Sequence, residues 1–292
     1  MRSFSEYNPV AIFIYFFSVT GVAMFNTHPV LTALSLVGGI ICLLTYDKKR
    51  RYKEHIGFFI LFLILAAANP LVSHNGVTVL FVLNNNPVTL EALLYGINSA
   101  AIIIGVLYWF RTFTHIMTSD KLLYITGALS PKLSLVLSMA LRYVPMFREQ
   151  TEKVRNAQKG MGLFKDDNII DDIRSNMRIY SILITWALEN GITTADSMEA
   201  RGFGVGKRSC YSNFSFRTSD VLFILTDLSL LTATVLGMIS GRFNYVFYPK
   251  INSADMGAAG IVGVITYSVL IFLPFIIEMA VNIRWKYLKS KI

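Results

Sequence analysis

The sequence predicts an all-α, polytopic membrane protein with about six transmembrane helices and two further long helices on the cytoplasmic side. Three observations carry this. Of the 292 residues, 54% are hydrophobic and only 15% charged, against about 25% charged in an ordinary soluble domain. Six apolar stretches meet or approach the length of about 20 residues that a helix needs to cross the hydrocarbon core. More than half of the 27 Lys and Arg are gathered in one segment, residues 111–217.

In chain order the expected spans are residues 9–25, 29–46, 56–72, 93–110, 220–240 and 256–283. The short turn Asn26-Thr27-His28-Pro29 joins the first two as a helical hairpin, because backbone facing lipid cannot leave the helix. Pro274 is expected to kink the last span without excluding it. Gly21-Val22-Ala23 has the small residues of a signal-peptidase site, but a single Arg2 precedes the run and another span follows at once, so it reads as a retained span.

Asp47-Lys48-Lys49-Arg50-Arg51-Tyr52-Lys53, between the second and third spans, marks a cytoplasmic loop by the positive-inside bias. With six spans, both termini are then cytoplasmic and the protein is a multi-pass component of the cell membrane. Residues 73–89 contain no Lys or Arg, as an outer loop should. The division is a four-span membrane domain at 1–110, a cytoplasmic domain at 111–218, and a two-span domain at 219–292. The net charge of +9 follows this topology, which points to the lipid bilayer and to acidic protein partners and not to nucleic acid. Cys42 lies in an apolar run and Cys210 in a polar one, which makes neither a disulfide framework nor a metal cluster.

The cytoplasmic segment opens with a short interfacial helix, residues 121–129. Ser130-Pro131 then reads as an N-cap with proline at the first helical position. Leu133, Val136, Leu137, Ala140, Leu141, Val144 and Phe147 recur at helical spacing, interrupted by Arg142 and followed by the water-facing run from Arg148 to Arg155. Pro145 should bend this helix, and Gly160 with Gly162 should end it. Residues 131–159 would reach about 44 Å. The second helix is expected to be capped by Asp166 or Asp167, with an apolar face through Ile169, Ile173, Met177, Tyr180, Leu183, Ile184 and Ala187. It has a weak point at Gly191 and stops at Gly202.

Several chemistries are excluded by spacing. In the Gly202 to Arg208 run, Arg201 stands where a P-loop needs its first glycine and Arg208 where a magnesium-holding Ser or Thr belongs. Lys207 replaces the last glycine of a dinucleotide fingerprint, so no direct nucleotide binding and no bound cofactor is expected. The Asp166-Asp167 and Asp171-Asp172 pairs loosely resemble the metal-diphosphate motif of a membrane prenyltransferase-like enzyme. Such enzymes need two facing clusters, and the acids here suit a helix N-terminus. His28, His55, His74 and His115 are dispersed and form no metal-spacing pair. A membrane scaffold without a transport role is a further alternative.

Ser197-Met198-Glu199-Ala200-Arg201-Gly202-Phe203-Gly204 resembles the second Ala-Arg-Gly signature of the transmembrane T component (EcfT/CbiQ-like) of energy-coupling factor (ECF) transporters. The likeness extends to Ala140-Leu141-Arg142-Tyr143-Val144-Pro145, Ala157-Gln158-Lys159, Asn69-Pro70-Leu71 and Gly76-Val77-Thr78-Val79-Leu80-Phe81. It implies a subunit that is not an enzyme, whose two cytoplasmic coupling helices transmit ATP-driven motion to a small membrane S component for vitamin or micronutrient uptake. By this resemblance Ala200, Arg201 and Gly202 dock one of two ABC-type ATPase subunits, and Gly160, Met161 and Gly162 occupy the position that docks the other. The family arginine is replaced there by Met161, with Arg155 or Lys159 as substitute anchors. Leu133, Val136, Leu137, Leu141 and Pro145 would pack on the S component or on the other helix.

Overall fold

The computed structural model describes residues 3–46, 52–73, 76–83, 86–163, 169–206, 214–249, 252–253 and 257–289. The chain divides into two compact units, Met1–Lys121 with Phe214–Ile292, and Leu122–Asn213.

The first unit holds a single 3-10 turn (Phe4–Glu6) and the helices α1 (Pro9–Phe25), α2 (Pro29–Tyr46), α3 (Tyr52–Val72), α4 (Leu90–Ile116), α8 (Thr218–Ile239) and α9 (Gly257–Lys289). Five of these are long and apolar enough to cross a membrane; α1, with 17 residues, is shorter. Asn8 accepts the Val10 N–H and Pro9 occupies the first helical position, which fixes the start of α1. Thr89 caps α4 in the same way. Asp220 starts α8 by accepting the backbone N–H of Arg217 and, across to the α1 cap, that of Asn8.

Helix α4 packs on α1, α2 and α3, α2 also packs on α9, and α8 lies against both α9 and α1. Gly38 and Gly39 allow these close approaches: a Cβ at Gly38 would overlap Ile271 of α9, and one at Gly39 would press on Tyr108 and Trp109 of α4. Small residues serve this purpose where lipid provides no hydrophobic drive between helices. Polar contacts complete the packing. Trp109 Nε1 donates to Ser35 at 3.1 Å, Tyr15 Oη to the Leu270 carbonyl at 3.1 Å, and Arg111 forms a two-pronged pair with Glu54 at 2.8 and 3.0 Å. Phe4, Tyr15, Phe16, Trp109 and Phe223 form the aromatic centre, with edge-to-face or tilted rings.

Two features lie outside the sequence expectation. Strands β1 (Val79–Leu83) and β2 (Asn86–Thr89) make an antiparallel hairpin before α4, and β3 (Tyr245–Val246) pairs with β4 (Asn252–Ser253) between α8 and α9. Both are short apolar-polar segments in expected loops, where strand and loop have no periodicity to separate them.

The second unit comprises most of α5 (Ser119–Leu129), with α6 (Pro131–Gly160) and α7 (Ile169–Ala200). Helix α7 runs unbroken through Gly191, because a lone glycine lowers helix stability by only about 1 kcal/mol. The expected Asp166 or Asp167 cap falls outside the described residues.

Candidate functional site

Helices α6 and α7 are antiparallel. Tyr143 Oη meets Thr194 Oγ1 at 3.2 Å, and the Phe147 ring meets Trp186 edge to face at 5.7 Å. As the α6 number rises, the α7 partner number falls. The C-terminal end of each helix therefore lies toward the start of the other. From that crossing, the offsets of Met161 from Tyr143 and of Arg201 from Thr194 add to roughly 37 Å for straight helices at about 1.5 Å per residue.

The two ends have the same backbone geometry. On α6, Gly162 takes φ +68°, its N–H donates to the Lys159 carbonyl, and the Leu163 N–H donates to Gln158. On α7, Gly202 takes φ +78°, its N–H donates to Glu199, and the Phe203 N–H donates to Met198. Each is a complete Schellman cap, with glycine at the left-handed position that a Cβ disfavours. Met161 and Arg201 thus hold equivalent cap positions, Gly160 and Ala200 equivalent last helical positions, and Gly162 and Gly202 equivalent turns.

Both cap side chains project outward. Met161 is 65% exposed. Arg201 is exposed, and its guanidinium has no hydrogen-bond or ion-pair partner among the described residues. Arg155 and Lys159 are exposed on the last turns of α6. At the α7 end, Phe203 turns back to line a groove of about 510 Å³ with Met198, Leu135, Met139 and Tyr143.

Leu133, Val136, Leu137, Leu141 and Pro145 are all exposed. The row that faces α7 is a different one, Leu135, Met139, Tyr143 and Phe147. Of this row only Phe147 lies on the expected apolar face; Leu135, Met139 and Tyr143 were missed because α6 carries two apolar rows at the same i, i+4 spacing, and periodicity does not say which partner each one meets. On α7 the same split recurs: Ile173, Met177, Tyr180 and Ile184 are exposed, whereas Trp186, Thr194 and Met198 turn toward α6.

Lys121 was also missed as a positioning residue. It is buried, and its Nζ donates to the carbonyls of Ser5 at 2.7 Å and Ile116 at 2.9 Å. It thereby neutralises the end of α4 and ties down the N-terminal turn. Burial pulls its ammonium below the usual lysine range.

Residues 2–211 match the sequence profile of the CbiQ family, described as cobalt transport protein. Individual relatives match over a shorter span. The energy-coupling factor transporter transmembrane protein EcfT of Streptococcus thermophilus is 35% identical over 101 residues, 34% of this chain and 38% of that protein. Its counterparts in Streptococcus equi subsp. equi and Lacticaseibacillus paracasei are each 33% identical, over 32% and 34% of this chain and 36% and 40% of their own lengths. The chain thus matches somewhat more than a third of the length of these relatives. The CbiQ match covers well over half of the chain, and the membrane-spanning helices suit it, so this protein belongs to the CbiQ family as an EcfT/CbiQ-like transmembrane component.

Proposed function

We propose that this chain is the coupling subunit of an ECF-type importer in the cell membrane, with both termini cytoplasmic. In this reading the two cap ends of α6 and α7 dock two ABC-type ATPases, and the motion of those ATPases is passed through the helix pair to a small substrate-binding S component. A vitamin or other micronutrient is the class of cargo.

The observation that carries the reading is the matched pair of caps at opposite ends of an antiparallel helix pair. One lever with two equivalent attachment points, roughly 37 Å apart for straight helices, suits two partners that approach and separate. An exposed arginine on a rigid cap can form a two-pronged hydrogen bond to a carboxylate, and the adjoining Ala200 and Gly202 let a partner backbone come close. The rows left exposed on α6 (Leu133, Val136, Leu137, Leu141) and on α7 (Ile173, Met177, Ile184) offer apolar surface of the kind that marks an interaction site. They are the surface on which the S component would rest.

The test is co-purification of ATPase subunits with wild-type chain and with Arg201→Glu and Arg201→Lys. Charge reversal should abolish retention, and lysine should weaken it through loss of the planar fork. Unchanged retention in Arg201→Glu would overturn the assignment of this end.

A further inference from the structure

Helices α2 and α9 meet at Gly38 and Ile271 and run in the same direction from there, since Thr45 near the end of α2 shares a cleft with Phe275, Met279, Asn282, Ile283 and Lys286 of α9. The two helices stop at different heights. Counted from the Gly38 contact, Tyr46 at the end of α2 stands level with about Met279, and α9 continues to Lys289, about 15 Å further at 1.5 Å per residue. The cleft opens at this step and has a volume of about 220 Å³.

Its α9 wall is a single row. Phe275, Met279, Asn282, Ile283 and Lys286 recur at the i, i+4, i+7, i+8 and i+11 spacing of one helix face, and Lys289 follows three residues later on the same face. The row therefore begins apolar and ends in an amide and two ammonium groups. Lys286 and Lys289 are both exposed, and like charges at this spacing repel. Neither has an ion-pair or hydrogen-bond partner among the described residues. Glu278, the one acid of α9, accepts the Ser3 hydroxyl at 2.9 Å. Thr45 donates its hydroxyl proton to the Ile41 carbonyl at 2.8 Å, so the donors left to the cleft are Lys286 Nζ and Asn282 Nδ2. Complementing the helix dipole accounts for a cation in the last turn of α9, but not for the apolar cleft that leads to it. Trp285 and Tyr287, both exposed beside Lys286, are the residue types that mark the headgroup level.

We propose that this cleft holds an anionic phospholipid. One acyl chain lies along Phe275, Met279 and Ile283, and the phosphate accepts hydrogen bonds from Lys286 and Asn282 with Lys289 beside it. A zwitterionic lipid fits less well, because its own cation would come close to two ammonium groups. A free inorganic anion would leave the apolar wall uncovered. On the orientation proposed above, this end lies in the cytoplasmic leaflet, whose anionic lipids attract such basic sites. The site itself requires only that α2 and α9 cross the membrane, and it does not depend on ATPase docking.

The experiment places the full chain in nanodiscs containing equal amounts of phosphatidylglycerol and phosphatidylcholine in both leaflets, so that the outcome is independent of orientation. Native mass spectrometry with stepwise collisional activation then reads which lipid stays bound. Wild type should retain phosphatidylglycerol in preference to phosphatidylcholine. Lys286→Gln should weaken that retention about fivefold, and Lys286→Gln combined with Lys289→Gln about 30-fold. Met279→Phe, which fills the cleft and leaves both lysines in place, should also weaken it. Arg284→Gln, on the opposite face of α9, should stay within about twofold of wild type. Lys286, Lys289, Met279 and Arg284 are all exposed, and a thermal unfolding scan checks that each variant keeps the fold. Equal retention of the two lipids by wild type would overturn the proposal. So would Arg284→Gln weakening retention as much as Lys286→Gln, which would reduce the effect to general interfacial charge. Displacement of the lipid by millimolar inorganic phosphate would assign the lysines to a free anion and overturn the lipid as occupant.

Discussion

Replacing Gly202 with alanine changes one methyl group and leaves every charge at the α7 end in place. The residue has φ +78°, where a Cβ costs about 1–2 kcal/mol. The nearest atom to the added methyl is Val205 Cγ2 at 3.9 Å, an ordinary contact, so no steric clash adds to the backbone cost. The turn can escape by abandoning the left-handed conformation, but it then loses the Gly202 to Glu199 and Phe203 to Met198 bonds, at 2.9 and 3.0 Å. Those contribute about 1 kcal/mol each, so either route costs about 1–2 kcal/mol. If docking needs the cap intact, affinity for the ATPase on that side should fall about 5- to 30-fold. The assay is biolayer interferometry on chain held in lipid nanodiscs, with hydrogen exchange at residues 198–203 reporting on the cap. Gly206→Ala is the control, because its added methyl meets nothing within 4 Å and its backbone is not left-handed. It should stay within about 0.5 kcal/mol of wild type. Gly202→Ala indistinguishable from Gly206→Ala would refute the claim that the cap geometry matters.

In the membrane unit, Gly38→Ala should destabilise by about 1–3 kcal/mol through overpacking against Ile271, while Gly57→Ala, open on all sides, should stabilise by up to about 1 kcal/mol; thermal unfolding in detergent compares the two. His28 is buried, its Nδ1 accepts the Val30 N–H, and burial holds its imidazole below the usual range. The unfolded chain takes up the proton first, at about pH 6.5, so this contribution to stability is present above that pH and is lost as pH falls through it toward the lower folded value. The melting temperature should drop between pH 7.5 and 5, and His28→Phe should remove that part of the dependence. Lys121→Met forfeits two charge-assisted bonds to the Ser5 and Ile116 carbonyls and should cost about 1.5–3 kcal/mol, with faster hydrogen exchange at residues 3–6 and 113–117.

The ends of the long helices were legible in the sequence because their signals are local. Ser130-Pro131 starts α6 as expected, and the glycines at 160–162 and at 202 close α6 and α7 within a residue of the expected places. The membrane helices were legible for a similar reason, since lipid admits few alternatives to a long apolar helix. Pairings between elements were not legible. That Leu135 and Met139 face α7 while Leu133 and Leu137 stay exposed depends on which of two equivalent rows the antiparallel crossing selects. The contact of Asp220 with the start of α1, between residues 212 apart in the chain, has no local signature at all. The equivalence of Met161 and Arg201 was hinted at by sequence and became a geometric statement only when both caps had the same hydrogen bonds.

The central claim is that this chain couples two ATPases to a small membrane protein, and native mass spectrometry of the complex extracted in mild detergent tests it most directly. The expected result is an assembly of the 32.8 kDa chain with two ATPase polypeptides and one small membrane protein. Selective collision-induced loss of an ATPase in Arg201→Glu would assign the α7 end. A monodisperse chain alone, stable in the same detergent and unaffected by added ATPases, would contradict it.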